Sequence, residues 1–116
     1  MKTEDKEYLQ SLLETPSPTG WEVPVATLVR ERMGEVADEV QTNTMGSVHA
    51  KLAGKGEGPS LMLAAHMDEI GLMVTDITPE GYLYVTSVGG VDAAILPGLR
   101  VDVHTESGTL RGVVGR

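Results

Sequence analysis

Apolar residues recur every three to four positions at the start of the chain and every second position further on. Tyr8, Leu9, Leu12 and Leu13 fall on one side of a helix over residues 4–14. Thr3 is placed to cap it, and Glu4 and Asp5 suit a first turn, where backbone N–H groups point outward. Thr15-Pro16-Ser17-Pro18-Thr19-Gly20 ends that helix in a loop. A second helix is predicted from Val23 to Met33. Pro24 belongs in its first turn, Val25, Leu28, Val29 and Met33 line one face, and Gly34 is its C-terminal cap.

From Val36 the period changes to two. Val36 to Thr42 reads as a strand. Val48, Ala50 and Leu52 alternate with Ser47, His49 and Lys51, the pattern of a half-wet strand. After the flexible stretch Gly54 to Pro59, Leu61 to Ala65 is wholly apolar, as expected of a strand buried on both faces. Strands follow at Ile70 to Ile77 and Tyr82 to Val88, joined by a tight turn at Thr78-Pro79-Glu80-Gly81. Val101, Val103 and Thr105 alternate with Asp102, His104 and Glu106, and Ser107-Gly108 turns the chain into Thr109 to Val114. Two helices followed by strands predict an α/β segment leading into a mainly β one.

The chemistry gathers where the apolar run Leu61 to Ala65 gives way to His66-Met67-Asp68-Glu69. Buried strands deliver ligands at their carboxyl ends, where the chain leaves the sheet. His66 and Asp68 are two apart, so in extended chain their side chains leave on the same side. A carboxylate beside an imidazole holds its tautomer and leaves the other ring nitrogen for a metal. Glu69 points to the opposite face and reads as a structural or solvated acid. His49 and His104 fall on the polar phase of their strands and read as exposed. Met62, Met67 and Met73 read as core filler, and Trp21 as a residue that packs a helix onto the sheet. Gly54 to Gly58 lacks the Gly-Lys-Ser/Thr ending of a phosphate loop and precedes a strand rather than a helix.

His66-Met67-Asp68-Glu69-Ile70-Gly71-Leu72-Met73-Val74 resembles the first metal motif of the glutamyl and deblocking aminopeptidases, two-metal peptidases that form tetrahedral (TET) particles. Ser17-Pro18-Thr19-Gly20-Trp21-Glu22 resembles that family's Ser-Pro-Ser-Gly-aromatic-Glu segment. Gly89-Gly90-Val91-Asp92, Leu96-Pro97-Gly98 and Gly112-Val113-Val114-Gly115 resemble the entry into its inserted β-domain. At Thr42-Asn43-Thr44-Met45-Gly46-Ser47 the chain departs from the family's Asp-x-x-Gly-Asn turn, with Ser47 in place of the asparagine. Gly46 still supplies the backbone freedom that turn needs.

The resemblance implies a zinc-peptidase-like three-layer α/β/α domain running into a small inserted β-barrel. Residues 1–70 would be the first part of the peptidase domain. Residues 71–116 would be the end of that segment and the start of the inserted domain, both incomplete. It implies an aminopeptidase that removes N-terminal residues from peptides with two divalent ions, zinc or cobalt. His66 would be a ligand of one ion. Asp68, the acid it assigns to the catalytic machinery, would orient His66. Homo-oligomers from dimer to dodecamer are implied as well.

The relatives so implied are about three times longer, so the sequence reads as the N-terminal third of such an enzyme. The bridging aspartate, the glutamate pair, a further carboxylate and a second histidine would lie beyond residue 116. A catalytic zinc needs about three protein ligands, and a two-metal pair sits roughly 3.5–4 Å apart. On its own the chain is therefore expected to hydrolyse nothing and to bind metal weakly. Two other readings are weighed against the enzyme. One is a non-catalytic, self-associating chain. The other is a carbohydrate hydrolase, which needs two convergent carboxylates where Asp68 and Glu69 diverge.

Composition narrows the rest. Seventeen acids against nine bases give a formal charge of −8, with no basic cluster, which argues against a nucleic-acid partner. No Phe, one Trp and three Tyr leave little to stack on a base or sugar. No apolar run approaches the roughly 20 residues that span a bilayer, and Met1 to Lys6 does not open a signal peptide. The absence of cysteine excludes disulfides and thiolate metal sites and fits a cytoplasmic protein.

Overall fold

The computed structural model describes residues 2–115. Its elements run in the order α1 (Thr3–Glu14), α2 (Val23–Gly34), β1 (Glu39–Thr42), β2 (Val48–Lys51), β3 (Gly71–Ile77), β4 (Leu83–Val88), β5 (Arg100–Thr105) and β6 (Gly108–Val113). A short 3-10 turn at Ala93–Ile95 precedes β5. The chain is α/β and divides into two compact units, Met1–Ile70 and Gly71–Arg116.

In the first unit Lys2, not Thr3, is the N-cap of α1. Its backbone N–H donates to Asp5 Oδ2 at 3.3 Å, so the first-turn carboxylate reaches back to the cap residue. Helix α2 starts with Pro24 in its first turn and carries the buried pair Val25 and Ala26. It continues through Gly34 to a cap at Glu35, so Gly34 is helical rather than the cap. Arg32 in its last turn pairs with Glu4 at 3.0 Å and Glu35 at 2.5 Å, and lies over the Tyr8 ring at 5.5 Å. The guanidinium thereby ties the start of α1 to the end of α2.

Helix α2 packs on β1 and β2. These two form an antiparallel hairpin in which Glu39 faces Lys51 and Thr42 faces Val48. The strand begins at Glu39 rather than Val36, because the amides of Val36 and Ala37 are still held by the Met33 carbonyl. The intervening turn forms without the family's Asp and Asn. Asn43 Oδ1 accepts the amides of Met45 and Ser47 at 2.9 and 3.0 Å, and Gly46 sits at φ +87°.

Leu61 to Ala65 is not a buried strand. Residues 52–68 carry no regular structure, and Leu61, Met62 and Leu63 are 85–87% exposed. The apolar run is there, but no described strand flanks it, and without a neighbour neither its amides nor its side chains are covered. Pairing resumes past the run, in a parallel bridge between Pro18 and Glu69.

The second unit holds two antiparallel hairpins. In β3–β4, Gly71 faces Val88 and Ile77 faces Leu83, with a register shift at Thr75, whose hydroxyl donates to the Tyr84 carbonyl at 3.2 Å. The connecting turn closes at Gly81, φ +90°, as its Thr-Pro-Glu-Gly sequence requires. In β5–β6, Arg100 faces Val113 and Thr105 faces Gly108. Val101 crowds onto its partner Gly112, where an added Cβ would meet Val101 Cγ2 at 3.2 Å.

Candidate metal-ligand site

The site is built from the loop after α1 and the chain just past the exposed apolar run. Pro16 and Pro18 hold the loop extended, and Gly20, at φ +92°, turns it toward α2. Five hydrogen bonds stitch the two segments together, the weakest from the Thr19 hydroxyl to the Glu69 carbonyl at 3.4 Å. The Glu69 amide donates to the Ser17 carbonyl at 2.9 Å, and the Thr19 amide to the Glu69 carbonyl at 3.2 Å. The Ser17 amide donates to Glu69 Oε1 at 2.9 Å, and the Thr19 hydroxyl to Asp68 Oδ2 at 2.7 Å. Ser17 is the one buried polar residue among those described.

His66 and Asp68 meet as their spacing requires. His66 Nδ1 lies 2.9 Å from Asp68 Oδ1 and 3.1 Å from the Asp68 carbonyl oxygen. Both neighbours only accept when Asp68 is ionised, so Nδ1 is the ring nitrogen that donates here and Nε2 is the one left for a metal. The imidazole is 86% exposed, so Nε2 is open. The Thr19 hydroxyl, followed by His66, holds the Asp68 carboxyl below its ordinary value of 3.8. Asp68 is therefore held as an anion beside the His66 ring, the arrangement that orients a metal-bound histidine.

Glu69 is committed elsewhere. Its carboxylate serves the Ser17 amide rather than the His66 face, consistent with a structural acid, and the two acids do not converge as a glycosidase pair must. His49 is exposed beside Asn43. His104 is not fully exposed as its polar phase implies; it is half-buried, with Nδ1 3.4 Å from the hydroxyl of its cross-strand neighbour Thr109. Trp21 packs only in part, at 44% exposed, and Met62 and Met73 are exposed rather than core. Among the described residues no three of His, Asp and Glu gather to hold a metal ion. The donor set fits one ligand with its orienting acid and no more.

Residues 46–116, which include His66, Asp68 and Glu69, match M42 glutamyl aminopeptidase. The chain belongs to that family. It is 41% identical to the lysyl aminopeptidase of Pyrococcus furiosus over 96% of its own length and 32% of that enzyme's. Its fold matches the TET aminopeptidase of a marine-sediment Thaumarchaeota archaeon with a TM-score of 0.90 at 34% identity, covering 98% of this chain and 32% of that one. It also matches the Pyrococcus horikoshii TET1 peptidase, which can assemble into a tetrahedron or a large octahedral shell. There the TM-score is 0.80 at 37% identity, covering 95% of this chain and 32% of that one. The chain thus spans about a third of the length of the family members it matches. No described helix is long and apolar enough to cross a membrane.

Proposed function

We propose that this chain contributes one metal ligand and its orienting carboxylate to a metal-dependent aminopeptidase that removes N-terminal residues from peptides. The observation that carries the reading is the 2.9 Å contact between His66 Nδ1 and Asp68 Oδ1, within the segment that matches the family. His66 would hold one of two divalent ions, zinc or cobalt, through Nε2. Asp68 keeps the imidazole in the Nδ1–H tautomer, fixes its plane and raises its basicity as a ligand. When bound, the ions lower the pKa of a water and polarise the scissile carbonyl. The remaining ligands would come from the two thirds of a family member that these 116 residues do not span.

Residues 1–70 then form the first part of a three-layer α/β/α peptidase domain. Residues 71–116 form the end of that segment and the start of an inserted β-barrel. The enzyme works in the cytoplasm as a homo-oligomer, from dimer to dodecamer; the self-assembly of the Pyrococcus horikoshii TET1 peptidase supports the oligomeric part of this reading.

The test is hydrolysis of short peptides by the full-length protein. EDTA should abolish it, zinc or cobalt should restore it, and His66→Ala should prevent the restoration. Hydrolysis that survives EDTA dialysis overturns the reading.

A further inference from the structure

The acid that orients His66 sits on chain without a ladder. Residues 61–68 have no strand pairing, so within its own segment the Asp68 carboxylate meets only the His66 ring, which has free torsions of its own, and its own amide. The contact from outside that segment is Thr19. Its hydroxyl donates to Asp68 Oδ2 at 2.7 Å, while the other oxygen, Oδ1, faces His66 Nδ1 at 2.9 Å. Oδ2 thus meets the Thr19 hydroxyl and Oδ1 the His66 ring, so the two side-chain contacts fall on different oxygens of the acid. Fixing Oδ2 fixes the plane of the carboxylate and hence the direction in which Oδ1 holds the imidazole.

Thr19 is itself held. Its amide donates to the Glu69 carbonyl at 3.2 Å, and the loop behind it is pinned where the Ser17 amide meets Glu69 Oε1. After it, the Trp21 amide closes a turn on the Pro18 carbonyl at 2.8 Å. A hydroxyl on so constrained a backbone gives a fixed anchor point. It is also 49 residues from its acceptor in sequence, so local chain geometry does not create the contact.

We propose that Thr19 is a positioning residue of the metal site, acting through Asp68 on His66. The inference rests on the metallopeptidase reading above. The hydroxyl is the working group: serine should replace threonine and valine should not, although valine has the same shape.

The experiment measures Zn²⁺ affinity of the full-length protein by chelator competition, alongside the unfolding midpoint of the metal-free protein. Thr19→Val should weaken affinity by about tenfold, within the range for loss of a group behind a metal ligand. The metal-free midpoint should hardly move, and Thr19→Ser should restore the affinity. Thr19→Ala serves as a second truncation should the valine variant misfold. In an Asp68→Ala background Thr19→Val should have no further effect, since the hydroxyl then has no acid to hold.

Wild-type affinity in Thr19→Val, or an undiminished further loss on top of Asp68→Ala, overturns the inference while leaving the metallopeptidase reading intact. A parent protein that binds no Zn²⁺ removes both.

Discussion

Ser17 and Glu69 hold each other by two reciprocal hydrogen bonds: the Ser17 amide donates to Glu69 Oε1 at 2.9 Å, and the Glu69 amide donates to the Ser17 carbonyl at 2.9 Å. The pair clamps the loop before α2 to the chain that carries His66 and Asp68. Glu69 therefore has a structural task, and the sequence position next to Asp68 is misleading about its chemistry. Glu69→Gln keeps an oxygen acceptor for the Ser17 amide. It should leave peptide hydrolysis by the full-length protein within about threefold of the parent, far from the hundredfold or greater loss of a general base. Glu69→Ala orphans the amide and should lower stability by about 1 kcal/mol, read from denaturant unfolding. A hundredfold loss of kcat in Glu69→Gln, with stability kept, would refute the structural assignment.

Asp68 carries the opposite expectation. Without its carboxylate, His66 loses the acceptor that fixes its tautomer and its plane. Asp68→Ala should weaken metal affinity by about 10–100-fold, and excess zinc should recover part of the activity. His66→Ala removes the ligand itself, and excess zinc should recover none. Titrating activity against free zinc in both variants separates the two roles. Identical, unrecoverable loss in both would make Asp68 a direct ligand instead.

Legibility followed where the hydrogen-bonding partners lie. Helices α1 and α2 and the hairpins β1–β2, β3–β4 and β5–β6 are readable because each closes on chain nearby in sequence, across a helical turn or a short hairpin loop. The spacing of His66 and Asp68 was readable for the same reason. The Leu61 to Ala65 run reads as a covered strand but is exposed within these 116 residues, because its apolar character says what it requires and not whether a neighbour is present. The contact of Thr19 with Asp68 is not legible in the sequence. The loop around it was visible in the Ser-Pro-Thr-Gly sequence, but no local spacing reveals a contact across 49 residues.

Tyr8 gives a pH dependence that is independent of the metal. Partial burial pushes its phenol above the ordinary 10.0, against the pull of the Arg32 guanidinium and with the help of the Glu35 carboxylate. The folded chain then holds this proton more tightly than the unfolded chain. Its contribution is complete below the unfolded value of about 10 and is lost as pH rises through the higher folded value. Stability of the full-length protein, measured from pH 8.5 to 11.5 in steps of about half a unit, should fall more steeply than that of Tyr8→Phe at the alkaline end. Parallel profiles for the two proteins would contradict the shift.

The exposed run Leu61-Met62-Leu63 sets what the 116 residues can do alone. Val25 and Ala26 are the buried apolar residues among those described, while 22 large hydrophobic side chains stand exposed. Ordering a backbone costs about 1–2 kcal/mol per residue, and burial returns roughly 25 cal/mol for each Å² of apolar surface removed from water. With so little covered, that return falls short. The chain produced on its own should bind a hydrophobic dye, show no sharp thermal transition, bind zinc weakly and cleave no peptide. In the full-length protein the same run should be covered, and Met62→Lys there should cost several kcal/mol, as a buried unpaired charge does. Calorimetry decides the first point. A cooperative transition of the isolated chain, near the roughly 0.7 kcal/mol per residue of a globular domain, would mean that its few buried contacts are enough. A harmless Met62→Lys would mean that the apolar run stays exposed in the full-length protein too.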